Sequence, residues 1–200
     1  MALVEAAVVV YLRALVPADG PLATLQAGLP QRIIVIEVVR EAATIVMLLA
    51  VALLAGEGSW QRFLYFSLMF GIWDIFYYVW LRIFIGWPES LLTWDVLFLI
   101  PVPWISPVLA PILVSVGLVW GALWLLARQS KDRSASGLPP YAWIALVAGA
   151  ALILLSFTLD SRAVLVEGAP HDFRWGLFAA GMAMGVAALV TNTRLGQPSR

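Results

Sequence analysis

Seven polar side chains stand inside or beside long apolar runs. They are Glu37, Arg40 and Glu41 in IIVIEVVREAATIVMLLA, Asp74, Tyr78 and Arg82 in GIWDIFYYVWLRIFIG, and Asp95 in TWDVLFLIPVPW. Glu37, Arg40, Glu41 and Thr44 recur at i, i+3, i+4 and i+7, a spacing that puts all four on one helical face. Arg40 can pair with one carboxylate or bridge both; a carboxylate left over needs another partner or a proton. An ion in hydrocarbon costs on the order of 2.5–3.5 kcal/mol on insertion scales, so acids kept there serve a purpose. One purpose is a polar cavity with a titratable acid that carries a proton or holds a cation. The other is an ion-pair clasp that fixes helix packing or a partner subunit.

Asp74 lies near the middle of its run, with Tyr77 and Tyr78 one turn on. Burial favours the neutral form of a lone carboxyl. A protonated Asp74 bonded to a Tyr or Thr is structural glue, whereas an Asp74 reaching Arg40 or Arg82 stays ionised and belongs to a site. Asp95 precedes PVPWISP, a place where a helix breaks, and either it or Thr93 can serve as a helix cap. Trp73, Trp80, Trp87 and Trp94 recur every seven residues, which suits interfacial anchoring or an aromatic wall for an apolar or cationic ligand. His171, in APHDFR, is a candidate surface base.

The absences narrow the chemistry. The chain has no cysteine and one histidine, which rules out disulfides, thiolate catalysis, iron–sulfur clusters, zinc–thiolate sites and a bis-histidine haem. HExxH and GxSxG motifs and a phosphate-binding glycine loop are missing too. No cofactor is expected; Mg²⁺ enters only if the acids serve an enzyme, because carboxylates without histidine suit magnesium better than zinc. Lys+Arg and Asp+Glu are 12 each, so there is no basic field for nucleic acid.

The elements that must position these residues are membrane helices. The chain is 62% hydrophobic and 12% charged, with mean hydropathy +0.94. A soluble domain averages about 45–50% apolar and about 25% charged. The expectation is an all-α, polytopic integral membrane helix bundle forming a single domain over residues 1–200. About five spans are predicted, at 32–55, 60–85, 107–127, 141–159 and 173–190, each near the ~20 residues that cross a bilayer core. Residues 1–16 predict an interfacial or partly inserted helix, with Glu5 and Arg13 on roughly one face. Residues 91–106 predict a short proline-broken helix or re-entrant segment. Gly181 and Gly185, with Ala145 and Gly149, are small-residue faces that allow close helix contact.

If the short segment returns to its starting side, the helix ends alternate. Arg62, Arg128, Lys131, Arg133, Arg194 and Arg200 then share one side, against Arg32, Arg82, Arg162 and Arg174. This bias predicts a cytoplasmic C-terminus in a bacterial-type inner membrane. It also brings Glu37–Glu41, Asp74–Arg82, Glu89–Asp95 and the His171 loop into the same half of the bilayer. The expected function is binding or transport of a small molecule, ion or lipid at a pocket open to the non-cytoplasmic side. The alternatives are an accessory subunit of a membrane complex and an intramembrane lipid-modifying enzyme. Expected partners are membrane lipid and a second copy or complex subunit.

Overall fold

The computed structural model describes residues 1–15, 30–131, 137–161, 163–164 and 172–195. It is mostly helical: α1 (Ala2–Leu15), α2 (Gln31–Ala55), α3 (Ser59–Ile85), α4 (Leu109–Lys131), α5 (Pro140–Thr158) and α6 (Trp175–Leu195). Four of these, α2 to α5, are long and apolar enough to cross a membrane; in α6 the apolar stretch is Trp175–Val190 and is shorter. His171, Arg162, the connector after α1 and the C-terminal tail lie outside the described residues.

Residues 91–106 depart from the expectation of a short helix. Trp94–Phe98 (β1) and Trp104–Pro107 (β2) form a two-stranded antiparallel hairpin. Asp95 stands opposite Ser106, Val96 opposite Ile105 and Phe98 opposite Trp104, with a bulge between Val96 and Phe98. Pro101 and Pro103 do stop a helix, since each lacks a donor and biases the residue before it toward extended backbone. The runs on either side then satisfy their backbone groups by pairing, as buried backbone must. Amides of Val108 and Leu109 donate to the carbonyls of Thr93 (2.9 Å) and Leu91 (2.7 Å), so the hairpin returns the chain to the end of α3 it left.

Helix α3 is the hub: α1, α2 and α4 all pack on it, while α5 and α6 pack chiefly on each other. Its buried residues Leu64, Ser67, Gly71, Asp74, Tyr78 and Leu81 follow a strict three-four spacing, which makes one inward stripe. At Gly71 the α4 backbone comes so close that an added Cβ would lie 2.6 Å from the Ser115 carbonyl oxygen. α5 and α6 meet as closely, through Gly149 and Gly181, each facing the other's carbonyl. The small-residue motif in α6 is thus used inside the chain at Gly181, whereas a Cβ on Gly185 meets open space.

Polarity is inverted relative to a soluble helix. The buried stripe of α2 is Glu37, Glu41, Thr44, Leu48 and Ala52. Its outward face carries Ile36, Val39 and Val46, each 62–63% exposed. Acids inside and branched apolar residues outside fit a hydrocarbon surrounding. The core has two parts. Leu64, Leu125, Leu138, Ala142 and Ala188 form one end, while Ala110, Phe157, Phe173 and Phe178 pack under Trp94 and Trp104 of the hairpin at the other. An apolar cleft of about 220 Å³ separates α3 and α4 from α5 and α6, with Ser67 the one hydroxyl in its lining.

Candidate polar site

The polar residues gather at the hairpin end. A cavity of about 110 Å³ is lined from α1, α2, α3 and β1 with its following turn. Six of the seven sequence candidates line it: Glu37, Arg40, Glu41, Asp74, Tyr78 and Asp95. Arg82 does not join them. Its guanidinium donates to the carbonyls of Gly86 and Pro88, the latter at 2.8 Å, beyond the C-terminus of α3. Gly86 ends that helix in the left-handed conformation (φ 69°), with its amide on the Arg82 carbonyl, so Arg82 serves the cap.

On α2, Arg40 bonds Glu37 through Nε at 3.0 Å and Nη2 at 2.8 Å. Its Nη1 meets Glu5 of α1, which also accepts the Thr44 hydroxyl. This third carboxylate was hidden in the sequence, because Glu5 lies in a short N-terminal helix with nothing local to show what it faces. One turn on from Glu37, Glu41 points toward the hairpin, and both of its oxygens accept the Leu99 amide, at 3.1 and 2.9 Å. Leu99 follows β1, where the ladder no longer supplies its amide with a partner.

On α3, Asp74 accepts the Ser115 hydroxyl of α4 at 2.8 Å, and Tyr78 donates its phenol to Asp95 at 2.9 Å. Asp74 therefore meets neither Arg40 nor Arg82, and its hydroxyl partner is of the kind expected of a structural acid; its place in the cavity lining is what keeps it a site candidate. The close helix approach at Gly71 brings Ser115 within reach one turn before Asp74. Asp95 is 2% exposed and lies outside the four spans. Burial pushes its carboxyl up to about 6, against the lowering effect of the Tyr78 bond, of the Arg13 charge and of the Val96 amide. Neither Asp95 nor Thr93 caps a helix; the Thr93 hydroxyl accepts the Ser90 amide at 3.1 Å.

Aromatic rings complete the walls. Trp73, Tyr77 and Phe98 line the cavity, with Trp73 6.3 Å from both of the others. Arg13 lines it from α1, its guanidinium 4.1 Å above the Trp87 ring in cation–π geometry. Arg13 Nη2 and Trp73 Nε1 are buried donors without a hydrogen-bond partner. The heptad stripe thus divides: Trp73 faces the cavity, Trp87 braces Arg13, and Trp94 packs edge-on against Phe173 at 6.2 Å. Among the described residues no three acidic side chains gather closely enough to hold one metal ion.

Comparison of the chain with family models, with curated proteins and with solved structures finds no match.

Proposed function

We propose that this chain is a small multi-pass membrane protein that binds or moves a small solute at a polar pocket in one half of the bilayer. One observation carries the reading: Glu37, Glu41, Asp74 and Asp95, from two helices and a hairpin, line a single cavity of about 110 Å³. A clasp made only to hold helices together is expected to be filled by its own partners. Here the acids surround space, and two buried donors in its lining are left unsatisfied, which supports the binding reading over the clasp. The basic-residue bias supports the orientation that goes with this reading: C-terminus in the cytoplasm of a bacterial-type inner membrane, with the pocket toward the opposite face.

Native mass spectrometry of the protein gently extracted from its own membrane tests this. A retained small molecule or lipid, lost on Asp74→Asn, is the expected result. A stoichiometric protein partner with no ligand would instead make the acids an interface and the chain an accessory subunit.

A further inference from the structure

The charges around the cavity do not balance. Arg40 is engaged by Glu5 and Glu37. Glu41, Asp74 and Asp95 are bonded to an amide, a hydroxyl and a phenol, all neutral donors. Arg13 is the other cation in the lining, and it is stacked on Trp87. Three carboxylates thus face a space shared with one arginine and walled by Trp73, Tyr77 and Phe98.

We propose that this cavity binds a small organic ammonium ion, held between the Glu41, Asp74 and Asp95 carboxylates and the Trp73–Tyr77–Phe98 wall. The proposal rests on the pocket reading above and names its ligand class. A bare metal ion needs several oxygens in one tight shell, and the acids here are spread around the walls rather than gathered. Aromatic faces and dispersed carboxylates suit a cation whose charge is spread over carbon-bound hydrogens. The free donors of Arg13 and Trp73 call for an acceptor oxygen on the same ligand. A free amino alcohol carries one on its hydroxyl, and an aminolipid headgroup on its phosphate.

The test is choline binding, read by intrinsic tryptophan fluorescence, with the protein in nanodiscs of phosphatidylglycerol alone. Potassium chloride and 3,3-dimethylbutan-1-ol, the uncharged isostere of choline, are the comparison probes. Choline is expected to saturate the signal and the alcohol to leave it unchanged. Asp74→Asn is expected to weaken choline roughly tenfold, the loss of one charge contact. Asp95→Asn, which keeps an acceptor for Tyr78, serves as the second variant should the first fail to fold. Adding phosphatidylcholine separates the two sources: competition with choline assigns the site to a lipid headgroup, and indifference assigns it to a free quaternary ammonium ion. Equal binding of the alcohol overturns the proposal, as does potassium competing as well as choline. So does a response to pH alone, arising from Glu37, Glu41, Asp74 and Asp95 beside Tyr77, Tyr78, Arg13 and Arg40. Potassium or proton uptake would leave the pocket reading standing; silence toward all three, with no ligand retained in native mass spectrometry, would remove both.

Discussion

Glu41 and Leu99, 58 residues apart in the chain, are joined by a carboxylate that offers both oxygens to a single amide, at 3.1 and 2.9 Å. The bond ties the inward stripe of α2 to the turn of the hairpin and closes one wall of the cavity. Glu41→Ala leaves a partly buried amide without an acceptor, at an expected cost of about 1–3 kcal/mol. Glu41→Gln keeps an acceptor and is expected to cost less than about 1 kcal/mol. Thermal unfolding of the two variants in one detergent makes the comparison.

Gly71 controls the approach of α4 to α3. In Gly71→Ala the new methyl meets backbone, the Ser115 carbonyl at 2.6 Å, which cannot rotate away. The helices must separate, and Asp74 loses Ser115. An overpacking cost of about 1–3 kcal/mol is expected, larger than that of Ser115→Ala, which removes the hydroxyl and leaves the packing. Equal melting temperatures for the two variants would contradict the close crossing.

Gly149 and Gly181 set a matching crossing between α5 and α6, each with the other's carbonyl within 2.7 Å of a built Cβ. Alanine at either is expected to destabilise, and the double variant to cost less than the sum, because the first substitution already parts the helices. Gly185→Ala, with nothing within 4 Å, is expected to be neutral or slightly stabilising through helix propensity.

Asp95 gives the fold a pH dependence with a defined sign. Its carboxyl is raised from 3.8 to about 6 in the folded chain, so the folded state binds this proton more tightly than the unfolded one. The contribution is fully present below pH 4 and is lost as pH rises to about 6, to an extent of about 3 kcal/mol. Asp95→Asn has no proton to lose. The difference between variant and parent in melting temperature is expected to widen in favour of the variant from pH 4 to pH 7. A constant difference would show that Asp95 is not the titrating group.

Glu5 holds α1 to α2 through Arg40 and Thr44. Glu5→Gln removes the charge opposite Arg40, which keeps Glu37. Faster amide exchange over Ala2–Leu15 is expected, by the equivalent of about 1.5–3 kcal/mol for a hydrogen bond to a charged group, with α5 and α6 unaffected.

Helical periodicity made α2 and α3 legible, because an acid among branched apolar residues has one face on which it can be buried. The alternation of helix ends put Glu37, Arg40, Glu41 and Asp74 in one half of the expected bilayer, and the structure brings them to one cavity. Periodicity could not reveal the hairpin. Trp94–Phe98 and Trp104–Pro107 are too short to show a strand period, and the prolines between them read as a broken helix. The signal available was a pair of aromatic and β-branched runs on either side of a proline turn. Arg82 was misplaced for a related reason: a glycine cap four residues on competes for its guanidinium, and a carboxylate on the same helix looked the stronger partner. Glu5 required knowledge of which helices touch, which no local pattern holds.

The pairing of Arg40 with Glu37 lies within a single helix, and this bears on how the chain is made. As α2 is made, Arg40 already carries its counter-charge one turn away, and the pair needs no other element of the fold in order to meet. Glu41 finds its amide only after the chain has grown to Leu99. Synthesis thus leaves an interval of 58 residues in which Glu41 has yet to meet the amide that holds it in the folded chain.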